Sequence, residues 1–360
     1  MRFFLSFLGK GSFSLLLLLF MGVGCFSSSA KSARDGGVYK SIDAAAQWTQ
    51  TVAFPSAKGI GSLGAVDIVS MVMDPQDHKA LYIGTKEDGL FFSYNGAQTW
   101  QRSEDENLQS GLIPSIAIDS KDVCTVYVVK SRYIYKSENC SRTFERVYDE
   151  TRSEVIPKKV ALDWYDPSIV YSGLSNGDVL KSRDYGKTWT KMFSSKEEIT
   201  DLLVSKKDSR IILLGTGSEG IFYSKNGGET WQGGEALLEK FNKADMVYEL
   251  TQSVAGDVIL ASTGYGLLRS TNQGEKWERV NLVTSAGQVR IRAITLVPDE
   301  PKTIYYATSS TLYKTVNGGE TWDTHRLPST RSASLFLIDP ENTDVIYLGT
   351  QLLEEQKKGL

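Results

Sequence analysis

Two histidines, three cysteines and nine prolines are all that a chain of 360 residues holds of these types, and neither sign of charge prevails. His78 and His325 leave no material for a multi-histidine metal centre. Three cysteines build neither a Cys₄ site nor a disulfide-dense scaffold. With 40 Lys+Arg against 43 Asp+Glu the net charge is -3, which lacks the electrostatic footprint of a nucleic-acid binder. Hydrophobic content of 41% with 23% charged residues excludes bulk disorder. Metal, cofactor and nucleic acid are therefore not expected.

What is abundant is glycine and aromatics, and they are arranged. Before that arrangement begins, residues 1–24 read as a secretory signal: Arg2 and Lys10 ahead of the apolar run Ser14–Met21, then small residues. The run is short for a membrane span. Cys25 follows Val23-Gly24, which resembles the lipobox of bacterial lipoproteins, with Gly22 where leucine is usual. The resemblance implies lipidation at Cys25. Residues 25–35 are small and polar, and read as a tether. Fully extended, it reaches at most about 35 Å, so the domain it carries is expected to stay near a membrane on the exported side.

From residue 36 an eight-residue pattern recurs, Ser/Thr-x-Asp/Asn-x-Gly-x-Thr/Lys-Trp. Four copies are clear: Ser182, Asp184, Gly186 and Trp189; Ser224, Asn226, Gly228 and Trp231; Ser270, Asn272, Gly274 and Trp277; Thr315, Asn317, Gly319 and Trp322. Three are degraded: Ser93, Asn95 and Trp100 with Ala97 for glycine; Ser137, Asn139 and Phe144 with Ser141 for glycine and Phe for Trp; Ser41, Asp43 and Trp48 with least of the rest. The copies begin at 41, 93, 137, 182, 224, 270 and 315. A period in the forties marks a four-stranded propeller blade. Each copy sits among short apolar and Tyr-rich runs broken by Gly, Asp-Pro and Asn-Gly, as antiparallel strands and hairpins require. The last runs, 335–340 and 345–350, have no motif after them, and the first, at 37–48, has no strands before it. Two strands from each terminus thus complete a seventh blade, and a closed ring hides its edges. The expectation is an all-β, seven-bladed propeller of four-stranded antiparallel blades over residues 36–350, with a tail at 351–360.

The motif resembles the Asp-box, or bacterial neuraminidase repeat, of sialidases, xyloglucanase-type endoglucanases, the sortilin ectodomain and a lipid-anchored photosystem II assembly factor. The last shares the single-ring layout most closely. Physically, Asp/Asn accepts turn amides, Gly takes positive φ, and Trp packs a large ring on the next hairpin. Recurrence with loss of Gly or Trp fits a structural staple better than seven ligand sites. A sialidase resemblance implies an arginine triad and an Arg-Ile-Pro motif; the latter is absent.

Three further groups stand out. Cys124 and Cys140 fall on one hairpin and are expected to pair in an oxidising compartment. Asp74, Asp119, Asp163 and Asp339 recur at the ends of first strands, a turn position. Lys158, Lys159, Arg290, Arg292 and Arg331 precede first strands in three blades and form a candidate partner-binding rim. A short helix is expected over 235–241. The functional expectation is a monomeric, non-catalytic scaffold that binds a protein or membrane-protein complex. The alternative is a glycan-active hydrolase with carboxylates in the funnel.

Overall fold

The computed structural model describes residues 34–56 and 59–353; the expected signal, Cys25, all but the end of the expected tether and most of the expected tail lie outside the described residues. The innermost strands of seven sheets are Ile68–Met73, Ser115–Ile118, Pro157–Leu162, Ile199–Val204, Val247–Gln252, Ala293–Val297 and Ser332–Ile338, and these define blades 1 to 7. Each sheet has four antiparallel strands, and each innermost strand touches those of both neighbours, so the ring is closed.

Blade 7 is made as expected from both ends of the chain. Ser332–Ile338 and Ile346–Gln351 come from the C-terminal side, Val38–Ser41 and Thr49–Gln50 from the N-terminal side. The join is a full ladder, Val38 opposite Gly349 through Ser41 opposite Ile346. The closure is reinforced at its upper edge. Arg331 donates to Asp67 Oδ1 at 2.8 Å and to the Ala65 carbonyl at 3.1 Å, while Asp67 also accepts from the Leu352 amide. Asp35, at the end of the expected tether, is bonded to the propeller. It accepts from Tyr39 Oη at 2.6 Å and from the Thr330 amide at 2.6 Å.

Among the described residues there is no single core. Buried apolar side chains divide into seven clusters, one at each blade–blade interface. Second strands such as Leu81–Thr85 and Ile212–Thr216 are buried throughout, because a neighbouring blade covers each face. This is why those runs read as continuously apolar.

All seven copies of the motif make the same hairpin. In the fourth blade, Ser224 Oγ donates to Asn226 Oδ1 at 3.0 Å and accepts from the Gly228 amide at 2.9 Å, and Asn226 Oδ1 accepts from the Thr230 amide at 2.9 Å. Even the most degraded copy repeats this: the Ala45 amide reaches Ser41 Oγ at 2.9 Å and the Gln47 amide reaches Asp43 Oδ1 at 2.8 Å. The fifth position has positive φ in every copy, including Ala45 at 72°, Ala97 at 65° and Ser141 at 63°. Glycine is therefore preferred for backbone freedom, and alanine or serine takes the same shape at some strain.

The hairpins also lock blade to blade. Tyr127 Oη donates to the Tyr185 carbonyl at 3.0 Å, and Lys181 Nζ to the Gly227 carbonyl at 2.7 Å. Across the closure, Lys40 Nζ reaches the Gly96 carbonyl at 3.0 Å. In the other direction the indoles of Trp100, Trp189 and Trp322 donate to carbonyls at Thr51, Val147 and Asn281, beside the outer strand of the preceding blade.

A serine at the first position should thus outweigh a threonine at the seventh. Ser224→Ala strands the buried Gly228 amide and should lower stability by about 1–3 kcal/mol, whereas Thr230→Ala, at an exposed site, should change it by about 0.5 kcal/mol or less. Denaturant unfolding of the two variants measures the difference.

Candidate functional site: the central channel and its two mouths

The innermost strands surround a channel. The motif hairpins and the first-to-second strand turns lie at its lower mouth, and the blade-to-blade connections at its upper mouth. Its lower part is a cavity of about 550 Å³, within the usual range for ligand pockets, and Met71, Ile118, Leu162, Leu202, Leu250 and Leu337 are among its apolar lining.

The acids at the lower mouth are turn residues. Asp74 Oδ1 accepts from the amides of Gln76 and Asp77 at 2.7 and 3.1 Å; Asp119, Asp163 and Asp339 cap their turns in the same way. One oxygen of each is held by backbone amides, and the recurrence seen in sequence is a capping role. His78 Nδ1 lies 2.9 Å from Asp339 Oδ1, joining blade 1 to blade 7.

The upper part of the channel is polar, and a bulge accounts for it. In blades 1, 3, 4 and 5 the register shifts just before Ser70, Lys159, Asp201 and Glu249. A bulge re-aims the next side chain, and here it aims at the following blade. Ser70 Oγ donates to the Ile113 carbonyl, Lys159 Nζ lies 3.1 Å from Asp201 Oδ1, and Asp201 Oδ2 accepts from the Leu250 amide at 2.7 Å. Glu249 Oε2 accepts from the Ile294 amide at 3.0 Å. Burial, and then the charge of Asp201, push the Glu249 carboxyl up to about 8, against the Ile294 amide and Lys159. Lys159 loses hydration in the channel, yet the attraction of Asp201 and Glu249 outweighs this and raises its pKa. These groups form an inter-blade belt that sequence spacing does not reveal, because each partner is a whole blade away.

The five basic residues of the expected rim do gather at the upper mouth, and their surroundings differ. Lys158 pairs with Glu198 at 3.2 Å, Lys159 with Asp201, and Arg331 with Asp67. Arg290 lies over the Tyr248 ring at 4.2 Å, and Arg292 leads into the innermost strand of blade 6 with its amide on the Ala307 carbonyl. The mouth is thus a mixed-charge collar in which acids of the next blade face the bases.

Cys124 and Cys140 are joined in blade 2. Their backbones meet as well, the Cys140 amide on the Cys124 carbonyl at 3.1 Å. Lys79 and Gly96, Ser168 and Tyr185, and Arg210 and Gly227 make the equivalent amide-to-carbonyl contact in their blades. The disulfide therefore adds a covalent bond where the other blades rely on a hydrogen bond. The expected helix is shorter than read, Glu235–Leu238, since Leu238 and Phe241 turn inward to the cluster between blades 4 and 5. Among the described residues no group of three or more His, Cys, Asp or Glu is placed to hold a metal ion, and no helix is long and apolar enough to cross a membrane.

This architecture defines the class of the protein: it is a seven-bladed β-propeller whose blades share one eight-residue hairpin motif. The BNR/Asp-box repeat profile itself matches residues 222–232. A probable oligoxyloglucan-reducing end-specific xyloglucanase of Neosartorya fischeri is 23% identical over 239 residues, 58% of this chain and 29% of that protein. The chloroplastic photosystem II stability/assembly factor HCF136 of Arabidopsis thaliana is 37% identical over 90 residues, 25% of this chain and 21% of that protein. The chain spans less than a third of the length of either curated relative. Among solved structures, the Niastella koreensis GH74 enzyme superposes with a TM-score of 0.65 at 16% identity, over 84% of this chain and 53% of that one. YCF48 bound to a D1 peptide superposes with a TM-score of 0.61 at 13% identity, over 80% of this chain and 93% of that one. At these identities the likeness is one of fold.

The belt makes a pH-dependent prediction. An acid that titrates near 8 in the folded chain and near 4.5 when unfolded keeps a proton in the fold that the unfolded chain has lost. Its contribution to stability is full below the lower value and is lost as pH rises through the upper one. Between about pH 5 and about pH 9 the melting temperature of the wild type should therefore fall by a few degrees relative to that of Glu249→Gln. Paired thermal melts at the two pH values check this.

Proposed function

We propose that the protein is an exported, lipid-anchored, non-catalytic scaffold that holds a protein or protein complex at a membrane surface, in the manner of an assembly factor. One observation carries the reading: the carboxylates the channel presents are engaged in the frame. Asp201 and Glu249 accept backbone amides of the next blade, and the four recurrent aspartates cap turns. A glycosidase needs two carboxyls set about 5–10 Å apart on either side of an open substrate site. The peptide-bound YCF48 structure, nearly all of which this chain covers, supports a protein partner. Arg34 and Asp35 meet the domain at the upper mouth, where the Arg34 carbonyl accepts from Gln50, so an anchor at Cys25 would hold that face toward the membrane.

A second reading, a glycan-active hydrolase, is favoured by the raised Glu249 carboxyl with Asp201 nearby in the channel, since glycosidases work with a pair of carboxyl groups. A panel of xyloglucan oligosaccharides and sialosides separates the two. The scaffold reading expects no turnover; turnover abolished by Glu249→Gln or Asp201→Asn would overturn it. Crosslinking in the native membrane should return a protein partner. The anchor is tested apart: radiolabelled palmitate should enter the wild type and not Cys25→Ala.

A further inference from the structure

The seven blades repeat closely enough that departures from the repeat are visible, and three of them fall at one place. Six motif copies end in Trp, and blade 2 ends in Phe144. The indoles of blades 1, 3 and 6 close against the preceding outer strand through an N–H bond, a bond phenylalanine cannot make. The blade 2 hairpin is also the one that carries the Cys124–Cys140 bond. Beside it stands a two-stranded hairpin, Ala53–Ser56 with Gly59–Ser62, outside the seven sheets. Together they border a groove of about 850 Å³ between blades 1 and 2.

The groove is lined for a ligand that is both flat-faced and anionic. Phe54 and Tyr94 are the rings it presents, Tyr94 being 45% exposed, and each is backed by a buried ring, Phe91 at 5.6 Å and Phe92 at 5.3 Å between centroids. Arg102 is 4.9 Å from the Phe91 centroid, and its contact with Asp88 is a long 3.4 Å between two exposed side chains, of little energetic weight. Arg142, exposed, has no ion pair among the described residues, and Glu104 is the one acid of the lining. Along it runs Gln101–Arg102, the outermost strand of blade 1 and a sheet edge. Edges take up extended chains, and aromatic-lined grooves take proline and aromatic side chains. The Trp100 amide at the start of this strand already bonds to the Ala53 carbonyl, so it is the combination of aromatic rings and arginines that favours a polypeptide over an anionic glycan.

We infer that this groove, and not the channel mouth, is the docking site for an extended acidic segment of the partner, with a proline or aromatic residue among its acids. The inference rests on the protein-binding reading above. Its probe is a fluorescein-labelled peptide, Asp-Glu-Phe-Pro-Glu-Tyr-Asp, followed by anisotropy. Saturable binding is expected, weakened about tenfold or more when Asn and Gln replace the acids. Arg142→Glu, at an exposed site, should abolish it. Phe144→Trp, which restores the indole of the other blades, should also abolish it while the melting temperature is kept. Lys158→Glu at the upper mouth should leave it unchanged. Absence of saturable binding, equal binding of the neutral peptide, sensitivity to Lys158→Glu alone, or tighter binding of oligogalacturonate would each overturn the inference. Native-membrane crosslinking distinguishes the two levels. A partner captured by the wild type and lost with Arg142→Glu supports both; a partner captured by both proteins overturns the groove and keeps the scaffold; no protein captured by the wild type overturns both.

Discussion

A side-chain hydroxyl that holds an amide four residues on, from serine in six blades and from Thr315 in the other, is the contact on which the rest of this structure depends. It fixes the hairpin between the third and fourth strands. That hairpin then receives the lysine or tyrosine of the preceding blade and, in several copies, sends an indole back to that same blade. A four-stranded sheet alone cannot bury both faces, and seven sheets that bury one another need their tilt and spacing held alike. The motif supplies that uniformity, which explains why it tolerates Ala97 or Ser141 in place of glycine: the positive φ is kept at modest strain, and the hydrogen bonds are kept whole.

The same logic orders the channel. Polar side chains near its upper end are what a ring of seven inner strands needs to bind neighbour to neighbour, and Lys159, Asp201 and Glu249 serve three successive blades. Titratable groups gathered in a funnel invite a catalytic reading. Their partners argue for a frame, since each carboxylate accepts a backbone amide of the adjoining blade. The docking proposal accordingly falls where the frame is irregular, at the groove between blades 1 and 2.

Much of this could be read before any coordinates. The period of the motif gave the blade count, and the unmatched strands at both ends gave the closure, because both depend only on chain order. The capping role of Asp74, Asp119, Asp163 and Asp339 was readable for the same reason: their partners lie two or three residues on. What could not be read depends on contacts between blades. The acids opposite Lys158, Lys159 and Arg331 lie on the next blade, and Asp67 lies across the ring closure, so spacing along the chain does not reveal them. The hairpin within 50–66 was hidden because Gly59, Gly61 and Pro55 interrupt any strand pattern. The groove was hidden because Phe144 reads as one more degraded copy until the missing indole is seen against its neighbours.

Native-state hydrogen exchange tests the architectural role of the motif most directly. The amides of Ala45, Ala97, Ser141, Gly186, Gly228, Gly274 and Gly319 all donate to the first hydroxyl of their own copy. If they belong to the frame, all seven should exchange slowly and alike, and calcium or added glycans should leave their rates unchanged. Rapid exchange at these amides, or protection that appears only when calcium or a sugar is added, would contradict the account and make the repeats a set of binding sites.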